Sequence, residues 1–331
     1  MDVWETRAPA DPYFDRDRNA WIVSRYGDAA QALREPRLVP VSPRANAAAV
    51  LFDTAAHAAF RTHALRALAP ATIAQLEERY LPLAHLLAAR LPAGQPVDLV
   101  RQYAQPFSLQ VAGIAANVPP DQCERLACLA RVVFEAGCEP YDPELGAAAQ
   151  TATAELARFF QGAPPLHMQM FVALAHTLPA FLGNAWLALL AHQAELRDVP
   201  KAIDELLRFT GPAKAQFRQA TATVTIGGCA IEPRQLVIIR LDRANRDGEV
   251  FPDPGRLQLD GRLRAHLAFG AGAHACVGAA LVKSAAAAAT RALLERFHLA
   301  GTCSAVPADC FAVRHVKSLI VNLQRGPRFV L

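Results

Sequence analysis

One cysteine stands out by its neighbours. Gly270, Gly272 and Gly278 surround His274 and Cys276, and a long apolar stretch of helical character begins directly after them. Glycines let a backbone pass close to a bulky group. A thiolate just before a helix N-terminus faces unpaired amide donors and the positive end of the helix dipole, so its pKa is expected to fall. Such a sulfur is suited to ligate a metal or to act as a nucleophile. A single Cys without neighbouring thiols or a His repeat does not build a tetrahedral zinc site. It does suffice as the axial ligand of a haem, whose porphyrin supplies the in-plane ligands. An inert buried cysteine in a helix-capping loop accounts for the same residues. A phosphate loop does not, because no Lys-Ser or Lys-Thr pair follows the glycines at the required spacing.

The elements that must position this loop read as mainly α with a minor β-sheet region. Trp21-Ile22-Val23 suits a short strand, and Gly27 to Glu35 a helix ending before Pro36. Thr72–Ala89, Val97–Val118, Gln122–Ala136 (capped by Asp121) and Glu144–Phe160 carry helical patterns separated by Pro and Gly. Leu166 to about Glu195 is one long helix that Pro179 should kink. Pro200–Phe209 is a shorter one with Pro in its first turn. After Gly211-Pro212 the texture changes. Thr221–Ile226, Gln235–Leu241 and Val313–Leu323 read as strands, Asn245–Arg262 as turns, and Val277–Phe297 as the helix behind the cysteine loop. No repeat or linker-like break interrupts the chain, so residues 1–331 are expected to form a single domain.

Composition narrows the class. With 331 residues, 53% hydrophobic, the chain can bury a large core, and 19% charged residues argue against extensive disorder. A formal charge of +4 is small for this length and gives no reason to expect nucleic acid. Seven cysteines are scattered, with no two separated by only two residues. That spacing argues against a disulfide scaffold or zinc knuckle and for a reducing compartment. Met1 to Glu5 has neither the basic nor the apolar part of a signal peptide. Phe159–Ala194 lacks Asp, Glu, Lys and Arg, but its His, Asn184, Gln and Pro residues favour a buried helix over a membrane span. A cytoplasmic protein without a membrane or nucleic-acid partner is expected.

The segment Phe269-Gly270-Ala271-Gly272-Ala273-His274-Ala275-Cys276-Val277-Gly278 resembles the haem-ligand loop of the cytochrome P450 superfamily, bacterial soluble type. Other segments match in order. Glu205-Leu206-Leu207-Arg208 resembles the family's Glu-x-x-Arg helix, and Ala244–Asp247 with Phe251–Pro254 resembles the meander before the cysteine loop. The resemblance implies a cytochrome P450-like fold and haem b (iron protoporphyrin IX). It implies Cys276 as the iron ligand, Phe269 near the thiolate, and Glu205 and Arg208 as a structural pair. Asp53, His57 and Arg61 resemble a segment contacting the haem propionates. With Arg218 and His274, the latter two residues form the implied clamp, and charge-assisted bonds suit carboxylates.

Two departures qualify the resemblance. The family's distal helix carries small residues and an acid–alcohol pair for proton delivery, whereas this chain offers Ala173-Leu174-Ala175-His176-Thr177. Leu174 replaces the groove glycine and His176 the acid, so Thr177 and His176 are the expected catalytic pair. His176 could exchange protons near neutral pH, or face a helix interface instead. The chain is also shortened, between Phe160 and Leu166 and between Arg197 and Pro200, where the family roofs its substrate cavity.

The resemblance therefore implies oxidation, by hydroxylation, of a small or medium organic substrate, with dioxygen and external electrons, in secondary metabolism. A separate ferredoxin and ferredoxin reductase are the implied electron source, with Arg262, Arg264 and Lys283 as a basic docking face. The distal changes keep two alternatives open. One is a redox-neutral or peroxide-dependent haem enzyme (dehydratase, isomerase or peroxygenase). The other is a non-catalytic haem protein recruiting a carrier or partner protein.

Overall fold

The computed structural model describes residues 7–41, 55–194, 196, 198–259, 265–299, 303–308 and 310–326. Its helices are α1 (Tyr26–Arg34), α2 (Ala55–Ala67), α3 (Pro70–Ala89), α4 (Gln105–Ala116), α5 (Pro120–Cys138), α6 (Pro143–Phe159), α7 (Pro165–Ala191), α8 (Val199–Thr210), α9 (Leu241–Ala244) and α10 (Ala279–Leu294). A five-stranded sheet, ordered β1-β2-β8-β5-β3, comprises Tyr13–Asp15, Ala20–Val23, Leu236–Arg240, Ala215–Ala220 and Leu38–Pro40. Among the described residues of this sheet, only β2 and β8 pair in parallel. A second sheet sets β11 (Val316–Asn322) between β10 (Cys303–Pro307) and β4 (Pro96–Asp98).

The long apolar helix is α7, and 78% of its most apolar window is buried inside the fold. It packs against α4, α5 and α8, so its lack of charge reflects a core position. Trp186 near its C-terminal end is fully buried; its indole N–H donates to Thr290 Oγ1 of α10 at 3.2 Å. The helix runs through Pro179 unbroken as an element. Asn184 is also buried, and its amide donates to Thr210 O and Arg314 O, at 3.1 and 2.9 Å, joining α7 to the end of α8 and to the chain before β11.

Several expected boundaries move. Val97–Val118 is not one helix: Pro96–Asp98 is a strand paired with β11, and a π-helical turn over Val100–Ala104 precedes α4. Asp98 makes the change, accepting from the backbone N–H groups of Val100 and Leu319 and from Ser318 Oγ. Asp121 is not the cap of α5, whose N-cap is Pro119 with Pro120 in the first turn. Asp142 and Asp198 do cap α6 and α8, accepting from backbone N–H groups. Thr221–Ile226 forms a strand only over Val224–Ile226, and β5 before it carries no apolar alternation because Gln216 and Arg218 occupy its face.

Candidate active site

The cysteine loop is held by its own backbone and by two neighbours. Cys276 N–H donates to Phe269 O at 2.9 Å, and Ala275 N–H to Gly272 O at 3.1 Å, folding the loop back on itself. Gly272 has φ +73°, and a Cβ there would meet Leu33 O of α1 at 2.9 Å, so only glycine fits this seat. Asn245 supplies the outer brace. Its Oδ1 accepts from Leu267 N–H at 2.7 Å, while its backbone O accepts from Arg208 at 2.9 Å.

Arg208 belongs to a buried bidentate pair. Its Nη2 and Nε reach Glu205 Oε1 and Oε2 at 2.6 and 2.7 Å, with the two side chains 3% and 4% exposed. Further bonds to Pro254 O and Arg256 O complete its donors, and Glu205 Oε1 accepts from Gln258 N–H. Three residues apart on α8, the two share one helix face and tie it to the turns after α9. The segment Ala244–Asp247 is buried with them. The backbone N–H of Tyr26 reaches Asp247 Oδ2 at 2.8 Å, which brings α1 into the same network.

The loop faces a cavity of about 370 Å³ beneath α7. Cys276, His274 and Phe269 line one side, and Gln169, Ala173, Leu174 and Thr177 the other. Ala173 and Thr177 are four residues apart, so both point from one face of the helix, and the Thr177 hydroxyl donates back to Ala173 O. No Asp or Glu lines the cavity among the described residues. Cys276 is solvent-accessible and lines this space. Burial pushes its thiol up, while the Gly278 N–H and Arg61 draw it down, and the net shift is upward. This corrects the lowered pKa expected from the helix terminus alone: desolvation outweighs the amide donors.

His176 is not in this cavity. Its Nε2 donates to Ala127 O at 3.0 Å, and its ring stacks on Phe134 at 5.5 Å, both on α5. It lines a separate groove with Arg131 and Gln105. The expected acid–base pair is thus divided, because adjacent helical residues point about 100° apart.

Three of the four expected clamp residues lie together at the cysteine loop. His57 and Arg61 lie one turn apart on α2, with the His57 and His274 rings 4.3 Å apart. Arg61 Nη1 donates to Ala275 O at 2.6 Å. Arg218 sits in β5, 4% exposed, bonded to Gln216 Oε1 at 2.8 Å and to Phe217 O at 2.9 Å. Its Nε is buried without a partner, and burial lowers its pKa to about 10. No carboxylate reaches it among the described residues, so it is a buried cation suited to an anionic group. Asp53, Arg262 and Arg264 lie outside the described residues. Lys283 is no free docking cation, for its Nζ pairs with Asp204 at 2.5 Å. Gln169 and Gln216, polar side chains on the cavity wall, were not singled out from the sequence. The four-residue spacing of Gln169, Ala173 and Thr177 could have found the first.

The comparisons with known proteins agree with this geometry. The profile of the family described as Cytochrome P450 matches residues 190–308. The chain is 28% identical over 333 residues to cytochrome P450 107B1 of Saccharopolyspora erythraea, covering 84% of this chain and 82% of that one. It is 28% identical over 313 residues to vitamin D(3) 25-hydroxylase of Pseudonocardia autotrophica, covering 81% and 78%. Among solved structures, P450BioI in complex with an acyl carrier protein superposes with a TM-score of 0.84 at 20% identity, over 95% of this chain and 94% of that one. With the cysteine loop, the buried Glu205–Arg208 pair and the cavity between loop and distal helix, these likenesses lead to one conclusion: the chain belongs to the cytochrome P450 superfamily.

Proposed function

We propose that this chain is a haem-thiolate monooxygenase that hydroxylates a small or medium, largely apolar organic substrate with dioxygen and external electrons. Family membership implies a haem, and the residues present fit one. Cys276 offers a single sulfur to iron, Phe269 packs beside it, and the buried Arg218 with His57, Arg61 and His274 suits two propionates. When bound, the haem supplies dioxygen binding and the oxidising chemistry.

The chain's own residues do the rest. Cys276, having given up its proton to solvent, would hold the iron, whose charge would offset the cost of a buried thiolate. Thr177 is the hydroxyl on the distal wall and can pass a proton towards the cavity from water. Leu174, Phe181, Val282 and Val313 exclude water and favour an apolar ligand. Electrons are proposed to come from a ferredoxin and its reductase. The observation that carries the reading is that Cys276 and Thr177 line the same cavity. It favours a working distal site over a purely recruiting haem protein. The names of the relatives, among them a 25-hydroxylase and an N-oxygenase, support oxygen insertion.

The test has two parts. The reduced, carbon-monoxide-bound protein should show the difference band that gives the family its name, and Cys276→Ser should abolish it. Turnover of apolar substrates with a surrogate ferredoxin and reductase under labelled dioxygen should place the label in product. Turnover with peroxide alone, or products without label, would overturn the monooxygenase assignment.

A further inference from the structure

Cys138, Cys310 and His315 are far apart in the sequence, and the fold brings their ligand atoms together, all within 4.8 Å of one another. Cys138 ends α5 and is 3% exposed. Cys310 and His315 flank the short segment leading into β11. We propose that these three side chains form a zinc site that fastens the end of α5 to this segment.

The frame of the site is built by bonds that need no metal. Ala312 N–H donates to Cys138 O at 3.0 Å, and Phe311 N–H to Glu139 Oε1 at 2.9 Å, so the two segments are already joined. Lys214 holds the other side, its backbone N–H donating to Ala312 O and its Nζ to Cys310 O. Inside this frame His315 Nδ1 is buried without a hydrogen-bond partner. The Cys138 and Cys310 side chains are hydrogen-bonded to each other. A buried imidazole nitrogen left unpaired beside two thiols is otherwise a plain desolvation cost.

Two thiols and an imidazole are a ligand set that favours zinc over the hard cations. Zn–S bonds of about 2.3 Å put tetrahedral sulfurs about 3.8 Å apart, so small side-chain rotations close the cluster. On binding, each thiol releases its proton to solvent, and the two thiolates cancel the ion's charge while His315 stays neutral. The fourth position opens on a polar cleft lined by Cys310, Glu139, Lys214 and Arg240, from which water completes the tetrahedron. The site is separate from the haem cavity but connected to it: Val313, between Cys310 and His315, lines that cavity. A bound ion would therefore stiffen one wall of the substrate chamber.

The experiment uses reduced holoenzyme incubated with zinc ions, desalted, and analysed for zinc and iron together. About one zinc per haem iron is expected, with a sulfur shell near 2.3 Å in the zinc absorption edge. Cys310→Ser and His315→Gln should each weaken zinc retention at least tenfold against a chromophoric chelator. Cys128→Ser, at an exposed cysteine outside the cluster, should leave it unchanged. The carbon-monoxide spectrum and circular dichroism report whether each variant folds, and the wild-type sulfur shell decides the matter if one does not. Less than a tenth of a zinc per iron, a shell without sulfur, or retention unaffected in folded variants would overturn the proposal. So would a Cys138–Cys310 disulfide that forms in preference to zinc binding under reducing buffer.

Discussion

Thr177 and His176 are adjacent on α7, yet Thr177 faces the cavity that holds Cys276 while His176 turns onto Phe134 and Ala127 of α5. The proposed function therefore assigns proton delivery to the hydroxyl. Thr177→Ala is expected to reduce product formed per electron consumed by about tenfold or more, whereas His176→Gln should stay within about twofold. The check is product yield against cofactor oxidation for both variants. A collapse of yield in His176→Gln, with Thr177→Ala unaffected, would reverse the assignment.

Burial holds His176 below the ordinary histidine pKa, against a smaller opposing effect of its bond to Ala127. Above the ordinary value, about 6.5, the ring is neutral whether the chain is folded or not, and contributes no pH dependence. As pH falls below it, the unfolded chain takes up the proton first, so stability drops. Each unit of depression is worth about 1.4 kcal/mol of acid-side loss. Urea unfolding at pH 7 and pH 5 should show a smaller acid loss in His176→Gln than in wild type. Equal losses would mean that the ring is protonated in the fold.

Replacing Glu205 by Gln leaves the Arg208 guanidinium buried without its counter-charge. Breaking such a pair costs about 3–5 kcal/mol, a large part of a typical domain's stability. Since Arg208 also holds the turns that brace Asn245, haem incorporation should fall together with the thermal midpoint. Arg208→Lys should not rescue either, because an ammonium lacks the planar fork that meets both carboxylate oxygens and three carbonyls. Thermal unfolding and the haem-to-protein absorbance ratio measure the two effects.

Arg218→Gln removes a buried cation while keeping a polar side chain in β5. If the guanidinium meets a haem propionate, losing one charge-assisted bond of about 1.5–3 kcal/mol should speed haem loss roughly tenfold to a hundredfold. Transfer of haem to excess apomyoglobin measures that rate. Unchanged transfer would place Arg218 outside the clamp.

Much of this protein was legible before folding. The glycine pattern around Cys276, the Glu205–Arg208 spacing and the uncharged run of α7 are local signals, because caps, helix faces and tight turns depend on residues a few positions apart. From them follow the mainly helical class and the candidate sulfur ligand. What the tertiary structure decided is direction and distance. It turned His176 away from the cavity, made a strand of Pro96–Asp98 through Asp98 and β11, and raised the Cys276 thiol by burial where the helix terminus alone would have lowered it. It also set Cys138 beside Cys310 and His315. The side a helical residue faces, the field around a thiol, and the meeting of residues from distant segments depend on packing across the whole chain, and no spacing within the sequence encodes them.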